Sequence, residues 1–244
     1  MNTESQGPDQ PHVETLRPLT RAEMAQHVAA DIPYGAYVNL GIGIPTSVSN
    51  YLAPEQDVIL HTENGMLGMG PEAHGDEVDP DLINAGKIAV TELLGASYFH
   101  HADSFAMMRG GHLDIAVLGA FQVSASGDLA NWHTGAPDAI PAVGGAMDLA
   151  VGAKQVFIMM ELTSKNGESK LVDELTYPVT GLACVSRIYT EVAIFNIDHI
   201  TGVTVTAIFG NTTLDSLRTL TGLPLIDGLA PASATNKAPT TGTL

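Results

Sequence analysis

Short apolar runs that read as strands, separated by stretches with helical spacing, constrain the fold of this chain most. They are "AYVNL" (36–40), "DVILH" (57–61), "LDIAVLGAFQV" (113–123), "QVFIMME" (155–161), "EVAIFNI" (191–197) and "GVTVTAIF" (202–209). In most of them the apolarity is nearly continuous, so both faces of those strands have to be covered. Helical stretches lie between several of them. Thr20-Arg21-Ala22-Glu23 has capping-box spacing and is followed by Met24, Val28 and Ile32 at fourfold intervals, an amphipathic first helix. Residues 103–109, 145–153 and 213–221 are further helix candidates. Alternation of this kind predicts an α/β protein, a mostly parallel open sheet with helices on both faces. Such sheets hold ligands in crevices beyond the carboxyl ends of their strands.

The 45% hydrophobic content of 244 residues is enough for a substantial core. Residues 1–17 and 230–244 are poor in large apolar groups and read as flexible tails. Between them no linker, charge block or repeat interrupts the pattern, so residues 18–229 are expected to form a single domain. The N-terminus has no signal-peptide pattern, and no run approaches the ~20 apolar residues of a membrane span, which points to a cytoplasmic protein. A net charge of −17 opposes association with nucleic acid or anionic membrane, so an anionic ligand has to be met by local bases. The single cysteine, Cys184, excludes an internal disulfide and sits in an apolar context, as buried filler does.

One carboxylate sits where the crevice rule applies. In "HTENGMLGMG" (61–70), Glu63 directly follows a strand and precedes glycines at 65, 68 and 70, read here as a loop. Position alone leaves two readings: a solvated capping carboxylate, or a partly desolvated base or nucleophile beside backbone donors. Gly144-Gly145, immediately ahead of a helix, could supply N–H groups to an oxyanion or could serve only tight packing. "GIGIP" (41–45) lacks the third glycine of the dinucleotide fingerprint, which disfavours a nicotinamide or flavin cofactor. His100-His101, Asp103 and His112 invite a metal, but adjacent histidines on a strand point to opposite faces and no ligand spacing appears; none is expected.

Taken in order, "NLGIGIP" (39–45), "ENG" (63–65), "DLINAGK" (81–87), "SFAMMRGGHLDIAVLGAFQVS" (104–124), "GDLANWHTG" (127–135) and "VGGAMDLAVGAKQVF" (143–157) resemble the family I 3-oxoacid CoA-transferases. The resemblance runs from about Thr20 to Pro224 and implies the NagB-like α/β fold. Within the family, "RAEMAQHVAADI", "FHHADSF", "NWHTG" and "LTGLPLI" resemble the B subunits that act on 3-oxoadipate with succinyl-CoA. By this resemblance Glu63 matches the family's nucleophile, which attacks an acyl-CoA thioester and comes to carry CoA itself. Gly145 and Gly144 match its oxyanion donors. Asn39, Gly41, Gly43, Asn64, Gly65 and Lys87 match positions around the CoA and acid substrates. No tightly bound cofactor is implied, coenzyme A entering as a thioester substrate. A separate A subunit is implied as partner, in an α2β2-type assembly. Two positions depart from the family pattern: Thr62 replaces the usual serine, and Leu162 after Glu161 replaces a frequent histidine. Other readings of the same residues are a transferase for acetoacetate or another short 3-oxoacid, an acyl-CoA hydrolase, and a noncatalytic ligand-sensing module.

Overall fold

The computed structural model describes residues 17–136, 140–141 and 143–229. The sequence-based tails, 1–17 and 230–244, lie outside the described residues except for Arg17. In chain order the elements are α1 (Arg21–Asp31), β1 (Tyr37–Leu40), β2 (Ile59–Thr62), β3 (Met66–Glu72), β4 (Val90–Tyr98), α2 (His101–Arg109), β5 (Ile115–Leu118), β6 (Gln122–Ser124), β7 (Leu129–Ala130), α3 (Ala146–Gly152), β8 (Gln155–Met159), β9 (Leu171–Val172), β10 (Val185–Tyr189), β11 (Ala193–Asp198), β12 (Gly202–Ile208), α4 (Leu214–Thr221) and β13 (Ile226–Asp227). Short 3-10 turns cover Ile44–Tyr51, Pro54–Gln56 and Gly75–Glu77.

Ten strands form one sheet in the order β13-β12-β11-β10-β8-β5-β1-β2-β3-β4. Its centre, from β10 through β8, β5 and β1 to β2, is parallel throughout. The antiparallel ribbons β3-β4 and β11-β12 extend it on either side. The apolar strands are continuous because neighbouring residues feed different cores. In β5, Ile115 and Val117 face a core shared with Met24, Ala25, Val28 and Ala29 of α1, whereas Ala116 and Leu118 face one shared with Met108 of α2, Leu149 of α3 and Leu217 of α4. In β8, Phe157 and Met159 join the first core, Val156 and Ile158 the second. Each fully buried side chain of this size contributes about 1.5–3 kcal/mol, so helix cover on both faces is what stabilises the sheet.

The capping box at Thr20 is present: its hydroxyl accepts from the Glu23 N–H, and Glu23 accepts from the Thr20 N–H at 2.7 Å. At the far end of α1, Asp31 accepts from the Tyr189 hydroxyl at 2.8 Å and pairs with Arg187 at 2.9 Å, which ties the helix to β10.

Three readings of the sequence require correction. The run 113–123 is two strands: β5 ends at Leu118, and β6 belongs to a second, three-stranded sheet ordered β7-β6-β9. The apolar pattern continues across the break because β6 is also buried. The segment after Glu63 is the strand β3, not a loop. Gly68 and Gly70 there lie against Ala96 and Thr91 of β4, so they permit strand-to-strand approach rather than contact with a ligand. The exposed β4 and the register shifts of this ribbon hide its period. His100 and His101 are not on a strand but open α2, His100 as its cap.

Candidate active site

The order of the sheet reverses at β1, which has β2 on one side and β5 on the other. Chain leaving the carboxyl ends of strands on opposite sides of such a point diverges and opens a crevice. Gly41 and Ile42 after β1, Glu63 after β2, Gly119 and Ala120 after β5, and Met160 and Glu161 after β8 all line one cavity of about 460 Å³. Gly144, Gly145 and Leu149 form another wall, and Arg21 and Lys170 also line it.

Glu63 stands on a tight turn. Thr62 pairs with Met66 across β2 and β3, leaving Glu63, Asn64 and Gly65 as the loop, closed by the Gly65 N–H donating to Thr62 O at 3.2 Å. Gly65 has φ +112, and a Cβ there would strike the Phe99 carbonyl, so the turn needs glycine. The Asn64 amide donates to Ile83 O at 2.9 Å and anchors the loop tip.

Beneath the turn a buried chain of hydrogen bonds holds the end of β2. The Asn39 amide donates to His61 Nδ1 at 3.0 Å and to His61 O at 3.1 Å. With Nδ1 accepting, His61 carries its proton on Nε2 and donates it to Ser104 Oγ at 3.0 Å; the Ser104 hydroxyl donates onward to Thr62 O at 2.8 Å. Burial lowers the proton affinity of His61, in keeping with this neutral tautomer. From α2, His101 Nδ1–H donates to Glu63 O at 2.8 Å. The backbone bearing the carboxylate is therefore held at both ends.

The side chain of Glu63 lies against Gly145. A Cβ on that residue would come within 2.9 Å of Glu63 Oε2, and the Gly145 backbone N–H favours the ionised carboxylate. Absence of a side chain at 145 is thus a requirement of carboxylate contact. Burial raises the pKa of Glu63 most; His101 and the Gly145 N–H pull it down, and Asp148 pushes it up. Arg109 pairs with Asp148 at 2.6 Å and tempers that last effect. The net result is a half-buried carboxylate held above its ordinary range, less solvated than an aqueous one and a better nucleophile when ionised.

Other residues singled out in the sequence fall at differing distances from this centre. Gly41 lines the cavity with its N–H on Val117 O at 2.8 Å, and Gly43, at φ +100, precedes the 3-10 turn. Gly144 lines the cavity at φ +50. Asn39 is buried beneath Glu63, its Oδ1 without a hydrogen-bond partner among the described residues. Lys87 is exposed at a turn with φ +63 and lies outside the cavity wall. Trp132 donates from its indole to Val179 O at 3.1 Å. Burial pushes the Cys184 thiol up to about 11, which keeps it protonated. Among the described residues no three His, Cys, Asp or Glu side chains gather as a cation site. The supports at His61, Ser104 and His101 were not assigned from sequence; Asn64-Gly65 between two strands, a hairpin signal, would have located the turn.

Comparison with known proteins supplies the wider context. A family profile described as Coenzyme A transferase matches residues 21–214. The chain is similar to the B subunit of 3-oxoadipate CoA-transferase from Pseudomonas putida, 65% identical over 208 residues, covering 85% of this chain and 97% of that protein. The counterpart of the same name from Acinetobacter baylyi is 60% identical over 209 residues, covering 86% and 96%. In fold, the chain is similar to the apoenzyme of an acyl-CoA transferase from Escherichia coli O157:H7, with a TM-score of 0.66 at 20% identity. That match covers 92% of this chain and 44% of the other.

Proposed function

The chain belongs to the coenzyme A transferase family, and on that premise we propose that it is the catalytic B subunit of a succinyl-CoA:3-oxoadipate CoA-transferase. The observation that carries the proposal is the Glu63 carboxylate lodged against Gly145, in the wall of a cavity where four strand ends converge. In this reading the carboxylate attacks the thioester carbonyl of succinyl-CoA. The tetrahedral oxyanion takes hydrogen bonds from Gly145 and Gly144, and CoA thiolate leaves to give a succinyl-glutamyl anhydride. The thiolate then attacks the glutamyl carbonyl, succinate departs, and Glu63 carries CoA as a thioester. The carboxylate of 3-oxoadipate attacks that thioester, and the two steps run in reverse to release 3-oxoadipyl-CoA and free Glu63. Each thioester bond broken is replaced by another acyl bond, so no external energy source enters. Gly41, Gly43, Asn39, Asn64, Gly65 and Lys87 surround CoA and the acid in this proposal, Lys87 from outside the cavity wall.

Assignment to 3-oxoadipate rests on the names of the two bacterial relatives, which this chain matches over nearly their whole length. The same names support a separate A subunit as partner, in an α2β2-type assembly. The two cores built on one sheet support reading residues 18–229 as one domain. Among the described residues no helix is long and apolar enough to cross a membrane; a cytoplasmic location is part of the proposal.

The test is peptide mass spectrometry of the chain coexpressed with its A subunit, mixed with succinyl-CoA and quenched rapidly without acceptor. The expected result is a CoA thioester on Glu63, absent from Glu63→Gln, whose turnover falls by at least about three orders of magnitude while assembly persists. Undiminished turnover in Glu63→Gln would remove the nucleophile assignment. A preference for acetoacetate over 3-oxoadipate by orders of magnitude would remove the substrate assignment.

A further inference from the structure

The polar groups in the cavity wall are nearly all committed to one another. Arg21 pairs with Glu161 at 2.8 Å. Asn131 accepts from the Thr180 hydroxyl at 2.7 Å and donates to Gly119 O at 3.2 Å. Lys170 differs. It stands beside Glu161 across a short hairpin, its N–H on Leu162 O at 2.8 Å and its carbonyl receiving the Val123 N–H at 2.9 Å, so its backbone is fixed from both sides. Its ammonium has no hydrogen bond and no ion pair among the described residues. The two carboxylates near it are spent elsewhere: Glu161 on Arg21, and Glu191 Oε2 on the Leu162 N–H at 2.8 Å. Burial lowers the proton affinity of Lys170, and Glu161 and Glu191 offset this only in part.

A half-buried ammonium without a partner is costly to hold, and a ligand carboxylate would offset that cost by forming a charge-assisted hydrogen bond. The same cavity has apolar lining from Leu118, Leu149 and Met160. A reactive carboxylate, an apolar wall and one uncommitted cation in a single cavity match an acyl chain bearing a second, distal carboxylate. Resting on the transferase reading above, we propose that Lys170 is the specificity-determining residue that receives the distal carboxylate of a dicarboxylic acyl group during transfer at Glu63. A monocarboxylic acid of the same length then leaves Lys170 unpaired, and the site discriminates by that unmet charge.

The test uses the enzyme assembled with its A subunit and two acceptors of equal length, 3-oxoadipate and 3-oxohexanoate, which differ by a terminal carboxylate. Lys170→Met is expected to lower kcat/KM for 3-oxoadipate by about 30- to 100-fold and to change it for 3-oxohexanoate by less than about threefold. Lys170→Arg, which keeps the charge, is expected to retain most of the discrimination. Equal losses on both acids would overturn the proposal, since they would place Lys170 on CoA or in a structural role; so would no loss on either. A second readout is independent of turnover: pulse acetylation of the wild-type enzyme, mapped by peptide mass spectrometry. Succinate should slow acetylation of Lys170 and butyrate should not; equal protection, or none, also overturns the assignment. Failure of the transferase reading shows separately, as a missing Glu63 adduct in the wild type, and the protection experiment then decides alone.

Discussion

Glu63 illustrates how a single residue is made reactive at the expense of the fold. Burial holds its pKa above the ordinary carboxylate range, so the folded protein binds that proton more tightly than the unfolded chain does. Stability from the protonated form is fully present below the unfolded value of about 4.3 and is lost as pH rises through the folded value. At neutral pH the ionised side chain is therefore a net cost. Glu63→Gln should melt at or above the wild-type temperature at pH 7, and the difference should shrink as pH falls toward 4; thermal denaturation across that range measures it. A clear loss of stability at pH 7 would mean that His101 and the Gly145 N–H together outweigh burial. The rate of the first half-reaction should fall with decreasing pH sooner than an ordinary glutamate would dictate. Glu63 and the Gly144-Gly145 pair were legible as candidates because their positions, after a strand and before a helix, follow from local pattern. Their contact was not, since Gly145 lies 82 positions after Glu63 and only the packing of α3 against α2 and β5 brings the two together.

Among the elements, β2 and α2 cooperate most directly in presenting the carboxylate. Ser104, on the buried face of α2, both accepts from His61 and donates to Thr62 O, so it fixes the end of β2 one residue before Glu63. Ser104→Ala leaves the His61 Nε2–H without a partner and removes one of the two hydrogen bonds on the Thr62 carbonyl, which keeps the Gly65 N–H, at a cost of about 1–3 kcal/mol. The expected phenotype is a melting temperature lowered by several degrees and a kcat reduced more than KM is raised, because the turn loosens while the cavity persists. An unchanged kcat would show that the remaining bonds from His101, Asn39 and Asn64 suffice to hold the turn. The helices and central strands were legible because caps and apolar periods are local properties. The β3-β4 ribbon was not: its glycines answer to the opposing strand, and its exposed face carries no alternation.

For the molecule as a whole, the sheet ends on β4, whose residues are mostly exposed; Leu94 is entirely so, and Tyr98 is 61% exposed. An apolar edge of this kind favours pairing with another chain. The isolated chain should self-associate, and Leu94→Lys should weaken that association by about tenfold, the effect of losing roughly one buried leucine side chain. Sedimentation velocity at matched concentrations tests this; identical profiles would discount the edge. Sequence by itself determined the α/β class, the parallel centre, the capping of α1, the position of Glu63 after a strand and the pairing of glycines ahead of α3. These depend on periodicity, chirality and charge within a few residues. Tertiary structure alone decided the reversal of strand order at β1, the contact of Glu63 with Gly145, the buried relay from Asn39 to Thr62 and the isolation of the Lys170 ammonium. Each of these depends on groups distant in the chain being brought together by burial of both sheet faces, a constraint that no local pattern encodes.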